Sequence, residues 1–320
     1  MKWFVSTVAF LAVQVVSASP SLTKRASVND VATLGFATLN GGTTGGAGGP
    51  TTTVSTLDAL TSAVAGDAKK TVIISGYITG GAIVLVGSNT SVLGRNAGAS
   101  LLTGIGLRVL NVTNVIIRNV KITKVPAPGD NIGIQSAHQV WVDHVDLSSD
   151  RDHDKDFYDG LLDITHGCTG VTVTNSVLHD HWKGSLVGHS DSNGKEDVVI
   201  TVTYANNYFF NINSRTPSFR FGTGHLFNNV FDNNGDGINT RDGAQLLIEN
   251  NVWSASKKPI FSTDEGFAVQ RGNDLGGVKG TVNDTVAVGT FTSPPYSYSL
   301  IATGSVRSAV VGGVGATISF

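Results

Sequence analysis

Lys183 and Arg215 each fall eight residues after an asparagine, Asn175 and Asn207, that closes an apolar strand pattern. If the two segments stack in register, the cations sit one above the other, about 4.8 Å apart. Like charges at that separation repel unless an anion binds beside them; the alternative is two unrelated surface cations. Arg220 and Arg241 lie on the following segments and extend a basic strip suited to a chain of carboxylates. The acids form a second group: Asp130 follows Pro128-Gly129, and Asp159 and Asp163 stand four apart. Gly160 and the apolar residues after it argue for a loop running into a strand rather than a helix. Two or three aspartates converging there make an all-oxygen site that favours calcium over zinc or copper. The alternative is a set of solvated loop acids.

Other clusters carry less. The run from Asp150 to Asp156 alternates acids like a helix-loop-helix calcium loop, but Lys155 stands where glycine is required and Leu161 where glutamate is required. An exposed charged loop is expected. His179 and His181 have no third histidine or cysteine at a zinc-site spacing. Cys168 is the one cysteine, so the chain forms no internal disulfide, and it reads as a small buried residue.

The elements that must position these residues form a repeat. Six segments share an apolar strand, a turn residue and a second apolar strand, with Asn119, His144, Asn175, Asn207, Asn229 and Asn251 at the turn. The spacings are 25, 31, 32, 22 and 22. A minimum near 22 with longer intervals is what a β-solenoid gives when coils add loops of variable length on one face. Asparagine suits the turn because it tolerates the left-handed region and bonds neighbouring backbone. A leucine-rich repeat would need a leucine consensus, and an antiparallel sandwich would need two-residue hairpins. The consensus is absent and such hairpins are scarce, so the fold class expected is all-β, a parallel β-helix. One short helix is predicted near its start, over Thr56–Gly66, with Thr56 as cap and Gly66 as stop.

Net charge is −2 and charged residues make up 14%, so no global field draws nucleic acid or a membrane surface. The apolar run Val5–Val16 followed by Ser17-Ala18-Ser19 reads as a secretory signal peptide over residues 1–19, too short to span a bilayer. That leaves 20–320 as a single secreted, extracellular domain, with Lys24-Arg25 as a candidate dibasic processing site. Asn89, Asn111 and Asn283 begin glycosylation sequons.

Trp141-Val142-Asp143-His144, the stretch from Tyr158 to Gly167, His179-Asp180-His181-Trp182-Lys183 and Arg215-Thr216-Pro217-Ser218-Phe219-Arg220 resemble the motifs of polysaccharide lyase family 1. Within that family the chain is similar to the secreted calcium-dependent pectate lyases, from about Gly35 to Arg271. The resemblance implies a right-handed parallel β-helix that cleaves polygalacturonate by β-elimination. It also implies that Asp130, Asp159 and Asp163 bind Ca2+, that Arg215 is the base, and that Lys183, Arg220 and Arg241 hold the substrate. A monomer is expected. The first acid of the Asp159/Asp163 pair is often glutamate in this family, and aspartate is a shorter ligand. Asp143 and His144 are read as structural. Arginine normally keeps its proton to above pH ~12; lowering that by about 3 units takes roughly 4 kcal/mol, for which calcium and Lys183 are the expected sources. The competing readings are a polygalacturonase with two catalytic carboxylates, a pectin lyase without calcium, and a non-catalytic wall-binding solenoid.

Overall fold

The computed structural model describes residues 25–278 and 286–320; the expected signal peptide, Lys24 and the Asn283 sequon lie outside them. Valine, isoleucine and threonine at alternating positions favour short strands. Each strand pairs in parallel with its equivalent on the next coil. The result is the expected parallel β-helix. Sheet A has 11 strands, running from Thr51–Val54 to Ala287–Val288. Two further ladders, B from Lys121–Thr123 to Val252–Ser254 and C from Ile132–Gln135 to Ile260–Ser262, share the long strand Ser100–Leu110 and, with Gly76–Val86 paired to it, make a 14-stranded sheet. The helix forms over Leu57–Val64, with Thr56 Oγ1 accepting the Ala59 N–H at 3.3 Å. No helix among the described residues is long and apolar enough to cross a membrane.

The turn between sheets A and B corrects one expectation. Asp143 pairs with Thr174 and Thr174 with Ala205, so Asn175 lies level with Asn206, not Asn207. The outer column is therefore Asn119, His144, Asn175, Asn206, Asn228 and Asn250, all at φ between 49° and 60°. Asn207, Asn229 and Asn251 belong to the next column, which is buried. Three coils carry two asparagines in succession, and spacing alone did not say which one turns the chain. The slip moves the cations as well: Lys183 is level with Ser214, and Arg215 sits one residue farther on, at φ 63°.

The inner column is a ladder of amides. Asn207 Nδ2 donates to Asn229 Oδ1 at 3.1 Å, Asn229 Nδ2 to Asn251 Oδ1 at 2.9 Å, and Asn251 Nδ2 to Asn273 Oδ1 at 3.1 Å. Each Oδ1 also accepts the backbone N–H of the asparagine one coil before, and each Nδ2 reaches a strand carbonyl. Inside, the same register stacks like on like. Phe209, Phe231 and Trp253 occupy consecutive coils, with ring centroids 5.0 and 4.6 Å apart and planes within 11°. Sheet A is covered outside by the N-terminal segment, where Phe36 and Ala37 N–H groups donate to Thr203 and Thr172.

Asn229→Ala removes one rung and leaves the Asn207 and Tyr204 backbone groups it served without partners. Unfolding in urea is expected to show a loss of about 2–5 kcal/mol. A loss below about 0.5 kcal/mol would mean that the ladder contributes no more than a surface polar group.

Candidate active site

The outward-facing rows of ladder C carry the chemistry. Arg108 is level with Gly133, Gly133 with Asp163, Asp163 with Leu186, Leu186 with Ser218, and Ser218 with Asn239. One pleat along, Arg220 is level with Arg241. Ladder B delivers Lys183 at the end of Val177–Lys183, and Arg215 directly after Tyr208–Ser214. Asp130 and Asp159 occupy the loops before the strands Ile132–Gln135 and Leu162–Thr165.

The three aspartates face the same stretch of groove and feel one another. Burial, then the neighbouring Asp159 carboxylate, push Asp130 up to about 6. Burial, then Asp130, push Asp163 well above the usual carboxylate range. Asp130 Oδ1 accepts the Gly160 N–H at 3.0 Å and Asp163 Oδ1 accepts the Leu186 N–H at 3.0 Å. Asp159 instead holds Lys183 Nζ at 3.0 Å, and Asp156 shares that ammonium at 3.2 Å. Among the described residues no three histidine, cysteine, aspartate or glutamate side chains are drawn together tightly enough to hold a metal ion as they stand. The donor set nevertheless suits a hard divalent cation: oxygen ligands only, with Asp159 disfavouring the charge of buried Asp130, and Asp130 that of buried Asp163.

The basic strip is present but compensated. Asp191 Oδ1 bridges Arg220 Nε at 2.5 Å and Arg241 Nη2 at 3.1 Å, and Asp264 adds 2.7 Å to Arg241. Asp242 lies 3.5 Å from Arg220. Arg108 lies 3.8 Å from Asp130. Arg215 differs from all of these: among the described residues its half-buried guanidinium makes no hydrogen bond or ion pair. It lies within electrostatic reach of Asp163 and Asp236. Asp236, in the turn Gly235-Asp236-Gly237, has an Oδ1 buried without a partner, and burial pushes its carboxyl up to about 7. Its backbone carbonyl accepts Thr216 Oγ1 at 2.9 Å, tying this turn to the residue after Arg215.

The sequence and the parallel β-helix both match known proteins. The family model described as pectate lyase covers residues 6–318. The chain belongs to the pectate lyases. Pectate lyase A of Aspergillus niger is 55% identical over 325 residues, covering 100% of this chain and 99% of that protein. Pectate lyase A of Emericella nidulans is 56% identical over 300 residues, covering 93% and 90%. Among solved structures, a Bacillus sp. N165 pectate lyase in complex with trigalacturonate superimposes with a TM-score of 0.80 at 29% identity, over 89% of this chain and 99% of that one.

As a pectate lyase, the chain uses its remaining sequence features structurally. Asp143 is buried on sheet A, where it binds Arg118 Nε at 2.6 Å, Thr174 Oγ1 at 2.7 Å and Asn175 Nδ2 at 2.8 Å. His144 takes its place in the outer turn column. Burial pushes the Cys168 thiol up to about 12, which rules out a thiolate nucleophile near neutral pH. His181 is buried against Ser149 and the Asp159 carbonyl, and burial lowers it to about 4. Asn89 engages its amide with Asp67 and Asn114, whereas Asn111 is exposed. Arg108, Asp191 and Asp236 belong to none of the sequence motifs. An arginine between Leu107 and Val109 was the one available signal, since alternation turns it out of the core.

Gly160 is required by this packing, because a Cβ there would lie 2.5 Å from Asp163 Oδ1. Gly160→Ala is expected to lower kcat/KM on polygalacturonate at least ~10-fold, with the fold kept, by displacing Asp163. Steady-state kinetics beside a circular-dichroism melt check this; undiminished kcat/KM would show that Asp163 placement is immaterial.

Proposed function

We propose that this pectate lyase cleaves polygalacturonate by β-elimination, with Arg215 as the base and Asp130, Asp159 and Asp163 as ligands of Ca2+. The observation that carries the reading is the contrast among the groove cations. Lys183, Arg220 and Arg241 each hold a carboxylate at hydrogen-bonding distance, and Arg215 holds none among the described residues. A carboxylate bonded to a guanidinium stabilises its proton, and Arg215 is bonded to neither Asp163 nor Asp236, the two carboxyls within its electrostatic reach.

The substrate proton lies on C5 of a galacturonate, next to a carboxylate that is already negative. An ion held by the three aspartates would neutralise that carboxylate and make the C5 proton more acidic. Arg215 takes the proton, the C5–H electron pair becomes the C4=C5 double bond, and the C4–O bond breaks. Solvent protonates the departing glycosidic oxygen. Asp159 must exchange Lys183 to serve as a ligand, which frees the lysine charge for the developing negative charge on the substrate. Arg220 and Arg241 exchange Asp191 for substrate carboxylates, and their forks suit that bidentate contact. The chain acts outside the cell as a monomer, with residues 1–19 as leader, 20–320 as one catalytic domain and a possible cut after Arg25. Its partner is the polysaccharide, with no nucleic acid or membrane involved. Of the two described sequons, Asn111 is the better acceptor because its side chain is exposed.

With polygalacturonate, absorbance of the unsaturated uronide product is expected to grow, to rise toward alkaline pH, and to vanish on adding a chelator and return with calcium. Reducing ends without that absorbance would indicate hydrolysis; a chelator-insensitive signal would remove calcium from the account.

A further inference from the structure

Arg108 projects from ladder C into the groove one coil before Gly133 and two before Asp163. The glycine between them is what lets it lie flat: a Cβ at 133 would stand 2.6 Å from Arg108 Nε and 3.1 Å from Asp130 Oδ2. Nη1 donates to Gln135 Oε1 at 3.0 Å, which fixes the plane of the fork, and Nη2 is 3.8 Å from Asp130 Oδ2, beyond a hydrogen bond. A guanidinium has five N–H donors. Among the described residues only the one to Gln135 has an acceptor within bonding distance. The unused donors face a cleft of about 680 Å³ whose other lining side chains, including Ile83, Leu85, Leu110 and Pro126, are all uncharged. Leu85 is 58% exposed there and Ile83 39%.

A fixed fork with free donors beside an open apolar wall has the chemistry of a uronide site: the fork takes a carboxylate and the wall takes the C–H face of a sugar ring. We infer that Arg108 determines chain-length specificity by binding the carboxylate of a galacturonate at the end of ladder C opposite Arg220 and Arg241, on the side of the Asp130 coil away from Asp163. This rests on the polygalacturonate reading above and adds one more sugar to the bound chain. Two coil rises, ~10 Å, separate the Arg108 and Asp163 rows. The Asp130 coil lies between those rows, 3.8 Å from the fork, so the sugar at Arg108 is the neighbour of the one that meets the acids and loses its proton.

The test compares kcat/KM on tri- and hexagalacturonate, at saturating calcium, for the unmodified protein, Arg108→Gln and Arg108→Lys. The hexamer-to-trimer ratio is expected to fall about 10-fold in Arg108→Gln, the loss of a charge-assisted contact made only by the longer chain. Arg108→Lys keeps the charge without the fork and is expected to fall between the two. The positions of the bonds cleaved in the hexamer should shift as well. An equal fall on both substrates, with half-saturating calcium raised, would show that Arg108 only holds Asp130 and would overturn the inference while leaving the lyase reading intact. An unchanged ratio with no fall on either would overturn it too. Absence of unsaturated product from the unmodified protein would remove both, and shows before any variant is made.

Discussion

Each coil lies on the next at the rise set by parallel backbone pairing, ~4.8 Å, and the groove inherits that spacing. The inner asparagine ladder holds the register, because every rung both donates to and accepts from its neighbours. A slip of one residue would break all rungs together and turn Asp163, Arg220 and Arg241 toward the core. Stacked aromatics inside and amides at the turn are two consequences of the same constraint, since equivalent positions recur with only one coil rise between them. Loops can then vary in length on the groove side without disturbing the ladders, and two of the three site aspartates stand on such loops or at their ends.

The same spacing crowds like charges, and the free protein compensates them with internal partners. Lys183 is held by Asp156 and Asp159, Arg220 and Arg241 by Asp191, and Arg241 by Asp264 as well. These pairs are exposed on the acid side, where ion pairs are weak and exchange readily. An anionic chain can therefore replace them without leaving a buried charge alone. Asp130 and Asp163 are the exception: both are buried, Asp159 makes the charge of Asp130 unfavourable, and Asp130 that of Asp163. That cluster of three acids is where a divalent cation has most to offer. Arg215 stands between the compensated strip and the acids, and beside the buried Asp236 turn.

The solenoid was legible because its signals repeat: short apolar strands, a turn residue tolerant of positive φ, and intervals with a common minimum. The register was legible only to within one residue. Asn206-Asn207, Asn228-Asn229 and Asn250-Asn251 offer two asparagines for one turn, and the backbone uses the first for the left-handed conformation and the second for the ladder. Spacing from the second asparagine puts Lys183 and Arg215 level, whereas the structure sets them one residue apart. The site aspartates were found by chemistry and motif, but their partners were not. Nothing local in the sequence indicates that Asp159 meets Lys183, 24 positions away, or that Asp191 bridges two arginines from a separate loop. Such contacts are made by stacking, and stacking distance is not sequence distance.

The central claim is that Arg215 removes the proton and does little to hold the chain. Polygalacturonate binding and product formation, measured side by side on Arg215→Ala in calcium, separate the two roles. Affinity within about threefold of the unmodified protein, with unsaturated product reduced at least ~1,000-fold, is the predicted result. Product formation retained above a tenth, or binding lost in proportion to turnover, would contradict it.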